Sequence, residues 1–114
     1  MEFSSLPEFD RQFKTLLRKY RTLEKDLDLL KTVLEKYPRG YPPKIFRVSR
    51  LGINTEIYKV KHFRCKSLHK GSRSGIRIVY AFLAEEEKIE FVEIYYKEKD
   101  DTECDKNRIL KYYS

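Results

Sequence analysis

Between Tyr58 and Tyr96 the chain spaces cations and tyrosines in a pattern that suits one kind of chemistry. Lys59 and Lys61, then Arg64 and Lys66, alternate with apolar residues. Arg77 alternates with Ile76 and Ile78 further on, and Tyr95 and Tyr96 close the stretch. RNA carries its own nucleophile in the 2′-hydroxyl, so a protein that cleaves it need supply neither nucleophile nor metal. It must hold the phosphate in line, stabilise the extra negative charge of the pentavalent transition state, and assist proton transfer. Arginine suits the first two tasks because its fork bonds two phosphate oxygens. A lysine crowded by other cations gives up its proton more readily and suits the third. Arg64, Lys66, Arg77 and Tyr95 or Tyr96, with Arg73 nearby, could assemble such a site. Lys59, Lys61, Lys70, Arg73 and Lys97 would add contacts to the phosphate backbone, and the tyrosines would offer stacking surfaces for splayed bases.

Other catalytic sets are missing from the sequence. There is no Gly-rich phosphate loop, no dinucleotide fingerprint and no HExxH helix. His62 and His69 lie in or beside one strand and loop with no matching carboxylate motif. His69 is a candidate acid or base, against the default of a solvent-exposed loop histidine. Cys65 and Cys104 are far apart and have neither disulfide-framework nor zinc spacing, so both are expected to be reduced. The parity of Cys65 points it into the core. No metal and no cofactor is expected.

The distribution of charge is more telling than its total of +7. Residues 44–77 carry ten lysines and arginines against the single acid Glu56, a net of +9 that leaves −2 for the rest of the chain. Residues 85–105 reverse the balance, with ten acids and three bases. A field segregated in this way favours an anionic partner on one face. Against this stands the plainer reading of a basic but inert surface, since alternating cations are also what any solvated sheet face presents.

The elements that must position these residues can be read in chain order. Glu2 to Ser4 suits a short first strand. Ser5, Leu6, Pro7 and Glu8 form a helix start, with Ser5 as candidate cap. Leu6, Phe9, Phe13, Leu16, Leu17 and Tyr20 then recur at helical spacing. A second start at Thr22 leads to the stripe Leu23, Leu27, Leu30, Leu34 and Tyr37, stopped by Tyr37-Pro38-Arg39-Gly40. The two predict an αα-hairpin packed on a sheet. Tyr41 to Thr55 is loop-like, with Lys44 to Val48 locally extended. Three strands follow. In the first, Tyr58 and Val60 alternate one way and Phe63 and Cys65 the other, which predicts a β-bulge at His62. That bulge would gather Lys59, Lys61, Arg64 and Lys66 on one open face. After the polar loop Ser67 to Ser74, Ile76, Ile78, Tyr80 and Phe82 share a face, opposite Arg77, Val79 and Ala81. Beyond the turn at Glu85-Glu86-Glu87-Lys88, Ile89 to Tyr96 is the third strand. Val92 and Ile94 are placed inward there, with Glu93 and Tyr95 on the face of Arg77; one residue of register decides which of Tyr95 and Tyr96 points out. A charged linker, Lys97 to Glu103, leads to a short helix over Asp105 to Tyr113 with Ile109, Leu110 and Tyr113 as apolar contacts.

The expected fold is therefore α+β. An N-terminal helical hairpin packs on one face of a small, mainly antiparallel twisted sheet of about four strands, a short C-terminal helix follows, and the other face is open and basic. At 114 residues, 40% apolar and 38% charged, the chain suits one domain spanning 1–114. No run approaches a membrane span and the N-terminus lacks a signal pattern, so a cytoplasmic address without membrane contact is expected.

In the order of these elements, and in KVKHFRCKSL, RSGIRIVYAF and IEFVEIYYK, the chain resembles the RelE/ParE superfamily of small bacterial and archaeal toxins. The likeness spans nearly the whole chain, and its specific part is residues 57–97. The resemblance implies the toxin of a type II toxin–antitoxin pair. RelE-like members cut messenger RNA in the ribosomal decoding site, whereas ParE-like members block DNA gyrase. By position Arg77 in GIRIVY matches the phosphate-binding arginine, and Arg64 and Lys66 match a basic pair with acid–base and charge-stabilising roles. Two departures stand out. Lys97-Glu98-Lys99 replaces the Arg-containing cluster that often ends the last strand, and the catalytic tyrosine of some members would be Tyr112, Tyr113 or absent. Glu93 beside Arg77 reads as a cross-strand salt bridge or as a catalytic assistant. The implied partners are a cognate antitoxin, the ribosome and mRNA, with no small-molecule cofactor. Three readings follow: a metal-independent, ribosome-dependent endoribonuclease (an mRNA interferase), a gyrase-inhibiting toxin, or a non-toxic nucleic-acid-binding protein on the same fold.

Overall fold

The structure, a computed structural model, describes residues 1–61, 63–68, 75–97 and 104–114. His62, His69, Lys70 and Arg73, with most of the expected Lys97–Glu103 linker, lie outside the described residues. Strands β1 (Glu2–Ser5), β2 (Ile45–Arg47), β3 (Glu56–Val60), β4 (Ile76–Leu83) and β5 (Lys88–Tyr96) form one sheet in the order β1-β5-β4-β3-β2. Helices α1 (Pro7–Lys19) and α2 (Leu23–Lys36) follow β1, and α3 (Lys106–Tyr113) ends the chain. The sheet has five strands rather than about four, because the locally extended segment at Ile45–Arg47 pairs with β3. It is antiparallel except at the edge, where β1 runs parallel to β5.

Helix α1 begins differently from the expectation. Ser5 is the last residue of β1 and Leu6 takes the cap position, its N–H continuing the ladder to the Phe91 carbonyl at 2.9 Å. The Ser5 hydroxyl instead donates to Asp10 at 2.6 Å. Pro7 occupies the first turn, where its missing N–H costs nothing. Glu8 and Asp10 near the N-terminus, with Arg18 and Lys19 in the last turn, complement the helix dipole. Helix α2 starts after Thr22 as expected, though the Thr22 hydroxyl makes no capping bond; Leu23, Leu27, Leu30 and Leu34 are buried, while Tyr37 is exposed. Gly40 has φ +70°, and a Cβ there would meet Ile45 at 2.5 Å, so both the turn and the approach of β2 require glycine.

Helices α1 and α2 cover the face of Tyr58, Val60, Ile78, Tyr80 and Phe91. Phe9 stacks on Phe91 at 5.3 Å, and the Tyr80 hydroxyl donates to the Pro38 carbonyl at 2.9 Å. The opposite face is not open. The Glu93 carboxylate accepts the Asp105 N–H at the start of α3, and the Tyr113 hydroxyl at its end donates to Glu90 at 2.6 Å. Between these anchors Ile109 is fully buried, as are Ile57, Val79 and Ala81 on the sheet. Leu110, expected in this contact, is 38% exposed. The physical reason is the apolar content of that face: Ile57, Val79 and Ala81 leave a surface that water would solvate poorly, and α3 removes it.

The irregularity in the sheet is also elsewhere. Strand β3 ends at Val60, before His62. The register of β4 with β5 shifts between Val79, opposite Glu93, and Tyr80, opposite Phe91, which leaves Val92 as the extra residue. A bulge at Val92 swaps the faces of everything after it. It sends Glu93 and Tyr95 to the side of Lys59 and Arg77 and turns Tyr96 toward the helices.

Candidate nucleic-acid interface

At one end of the sheet the last residues of β3, the first of β4 and the last of β5 lie side by side. Val60 faces Ile78, Arg77 faces Tyr95, and the Lys97 N–H bonds the Gly75 carbonyl at 2.8 Å. The corner between α1 and α2 sits at the same end, because Tyr20 at the close of α1 stacks with Tyr96 at 6.4 Å. The sequence-predicted residues Lys61, Arg64, Lys66, Arg77, Tyr95, Tyr96 and Lys97 are thus brought to one margin of the molecule. Arg64, Lys66 and Lys61 are exposed, and Arg77 and Lys97 are half-buried. The two ion pairs among the described residues are Arg39–Glu56 and Arg108–Asp105. None of these five cations belongs to either.

Arg64 and Lys66 do not continue a strand, as the expected bulge would have had them do. They lie on an irregular segment, Phe63 to Cys65, and on the 3-10 turn Lys66–Leu68. Phe63 and Cys65 are buried, so the alternation survives outside the strands and both cations still face outward. The segment is then fastened to the helical corner. Asp26, 3% exposed, accepts the Thr22 hydroxyl at 2.8 Å and the Lys66 N–H at 3.3 Å. The Ser67 N–H donates to the Thr22 hydroxyl and the Thr22 N–H to the Ser67 hydroxyl, each at 2.9 Å. Burial, followed by the hydrogen bond to Asp26, pushes the Cys65 thiol up from its ordinary pKa, so it stays protonated and inert.

The remaining predicted residues are positioned less freely. Lys59 sits 5.7 Å from the centre of the Tyr95 ring, a cation–π contact on the inner part of the face beside α3. Tyr95 in turn lines a cleft of about 290 Å³ with Ile94, Leu16, Thr15, Gln12 and Arg11. Tyr96 points to the helix side against Tyr20, so Tyr95 shares the face of Arg77. Glu93 stands opposite Val79 and accepts the Asp105 N–H, and among the described residues no ion pair joins it to Arg77. Burial raises the pKa of its carboxyl, and the Asp105 N–H only partly offsets this. Of the two C-terminal tyrosines, Tyr112 bonds Glu8 at 2.9 Å and Tyr113 bonds Glu90. Burial and the Glu90 carboxylate push the Tyr113 phenol far above its usual range, which keeps it a hydrogen-bond donor.

Two functional contributions escaped the sequence reading. The Thr22–Asp26–Ser67 cluster joins residues more than forty positions apart, and the only local signal was a polar Asp26 on the apolar stripe of α2. The free edge of β5 beyond β1 is occupied by side chains. Gln12 accepts the Ile94 N–H at 3.4 Å and Arg108 at 3.0 Å, while Arg108 also donates to the Val92 carbonyl at 3.0 Å. These bonds cover an edge that would otherwise invite another strand. Among the described residues, no group of three or more His, Cys, Asp or Glu side chains is arranged to hold a metal ion. None of their helices is long and apolar enough to cross a membrane.

No family model matches the sequence, and no curated protein matches it. The structure is similar to a chain of the archaeal RelE–RelB complex from Pyrococcus horikoshii OT3, with a TM-score of 0.58 at 9% identity. The match covers 87% of this chain and 97% of that one. The chain therefore has a RelE-like fold.

Proposed function

We propose that this RelE-like chain is the toxin of a toxin–antitoxin pair and cleaves mRNA on the ribosome by 2′-hydroxyl attack. The observation that carries this reading is the cationic margin, where Arg64 and Lys66, on a segment fastened to the helical corner, lie at the same end of the sheet as Arg77, Lys61 and Lys97, and none of the five is in an ion pair among the described residues. Arg77 lies on β4, a rigid central strand, and is the residue best suited to hold the scissile phosphate bidentately. The attacking 2′-hydroxyl would give its proton to water, Arg64 would stabilise the charge that grows on the phosphoryl oxygens, and Lys66 would donate a proton to the leaving 5′-oxygen. Tyr96, half-exposed and backed by Tyr20, would stack on a base beside the scissile bond. Lys61 and Lys97 would hold flanking phosphates, and Lys59 would act through Tyr95 rather than on RNA. An antitoxin with an acidic segment would be steered to the same cationic margin.

Induced expression of wild type and Arg77→Ala tests the reading, with labelled amino-acid incorporation and mapped breaks in mRNA. Arrest of translation with codon-phased breaks, lost in the variant, is the expected result. Unimpeded growth with soluble, folded protein would overturn it.

A second reading, a toxin that binds gyrase without chemistry, draws on the occupied state of the tyrosines and Glu93. Tyr95 lies under Lys59, Tyr113 is bound to Glu90, and Glu93 is committed to Asp105. Arrest of replication with translation intact would favour it.

A further inference from the structure

We propose that Thr22, Asp26 and Ser67 are positioning residues for the Arg64–Lys66 pair, an inference that rests on the ribonuclease reading above. The segment from Phe63 to Ser67 lies outside the five strands of the sheet. Its course is set by three inward anchors at alternate positions: the buried Phe63 ring, the buried Cys65 thiol, and Ser67 in the polar cluster. Arg64 and Lys66 are the two residues between those anchors, and each is exposed.

The donors and acceptors of the cluster close on one another. The Thr22 hydroxyl gives its proton to Asp26 at 2.8 Å. That leaves its lone pairs for the Ser67 N–H at 2.9 Å and the Ser67 hydroxyl at 2.8 Å. The Ser67 oxygen in turn accepts the Thr22 N–H. Asp26 takes the Lys66 N–H as well, so the main chain of the proposed proton donor is bonded directly to a buried carboxylate. A carboxylate at this depth is stable only while its donors are in place. The turn is therefore held in one arrangement, and the two cations reach the phosphate from fixed Cα positions. Catalysis by positioned charge depends on that: groups that must be reoriented during the reaction lose the advantage of preorganisation.

The consequence is a selective loss of turnover. Ser67→Ala, Thr22→Val and Thr22→Ser are compared with the wild-type full chain in ribosome-dependent mRNA cleavage, with rates expressed per folded molecule. Ser67→Ala and Thr22→Val are expected to lower kcat by ~10-fold or more, the scale on which misplaced groups act. KM should rise by less than kcat falls, because encounter depends chiefly on net charge that no variant changes. Thr22→Ser keeps the hydroxyl and should keep the rate. Lys66→Ala combined with Ser67→Ala should lose clearly less than the sum of the two single losses, since part of the effect of the cluster passes through that lysine. A fall in Tm with kcat per folded molecule unchanged, or additive losses in the double variant, would overturn the proposal. A parallel cycle measures binding of a short single-stranded RNA blocked by 2′-methoxy groups. If the wild type cuts no mRNA the ribonuclease reading fails, and this cycle decides the positioning: coupled losses uphold it, while additive losses or no binding overturn it.

Discussion

Asp26 and Glu93 are the two charged side chains buried among the described residues, and each holds the start of a segment that has left the sheet. Asp26 accepts a hydroxyl and an amide from two different parts of the chain, and the Cys65 thiol leans on it too. Among the described residues Glu93 accepts the Asp105 N–H alone, with both oxygens, at 3.0 and 3.2 Å. Around Asp26 the segment turns two cations out to solvent. Around Glu93 the segment becomes α3 and seals Val79, Ala81 and Ile57 from water. The two halves of one sheet face thus diverge: the margin near Arg77 stays available for an anion, and the rest becomes core. A buried carboxylate with several donors can fix a presented surface, while one that only caps a helix closes it.

The largest effect should come from the closed half. Ile109→Ala removes the fully buried side chain of α3 and should destabilise the fold by roughly 2–5 kcal/mol, measured by urea unfolding. A cost below ~1 kcal/mol would mean that α3 contributes little to the core. Asp26→Ala should come next, at about 1–3 kcal/mol, because it leaves the Lys66 N–H and the Thr22 hydroxyl without their acceptor. If it costs no more than an exposed acid does, the cluster is not a coherent unit.

Glu93 sharpens the contrast through pH. An ordinary glutamate titrates near 4.5, and burial raises Glu93 above that. Below the ordinary value the folded and unfolded chains both hold the proton, and the contribution of the protonated group to stability is fully present. As pH rises the unfolded chain loses the proton first, so the contribution of Glu93 to stability is lost through its raised folded pKa. Glu93→Gln has no proton to release. Its urea midpoint should fall less than that of the wild type between about pH 4 and pH 8, and parallel profiles would contradict the burial argument. The smallest effect belongs to Tyr112→Phe. The Tyr112–Glu8 bond is exposed, and although it helps hold the Glu8 carboxyl below its ordinary range, its removal should leave Tm nearly unchanged.

Much of this architecture was legible in the sequence. Leu23, Leu27, Leu30 and Leu34 at helical spacing, Thr22 as a start and Pro38 as a stop are local signals, and local backbone physics fixes what they mean. The bulge was legible in principle as well. Ile89 and Phe91 alternate one way and Val92 and Ile94 the other, so the parity slip lay in β5 as plainly as at His62. A slip marks either a bulge or the end of a strand, and only cross-strand pairing distinguishes them. It chose a bulge at Val92 and an end at Val60.

The candidate site divides along the same line. By itself the sequence determined which residues carry charge, that Arg77 opposes the apolar face of its strand, and that Arg64 and Lys66 alternate with buried neighbours. Side-chain type and a period of two decide those matters. Tertiary structure decided that Tyr96 turns inward to Tyr20, that Lys59 lies on Tyr95, that α3 closes half of an expected open face, and that Asp26 reaches Lys66. Each of these joins groups from different elements, and no local propensity encodes which distant donor a buried acceptor will find.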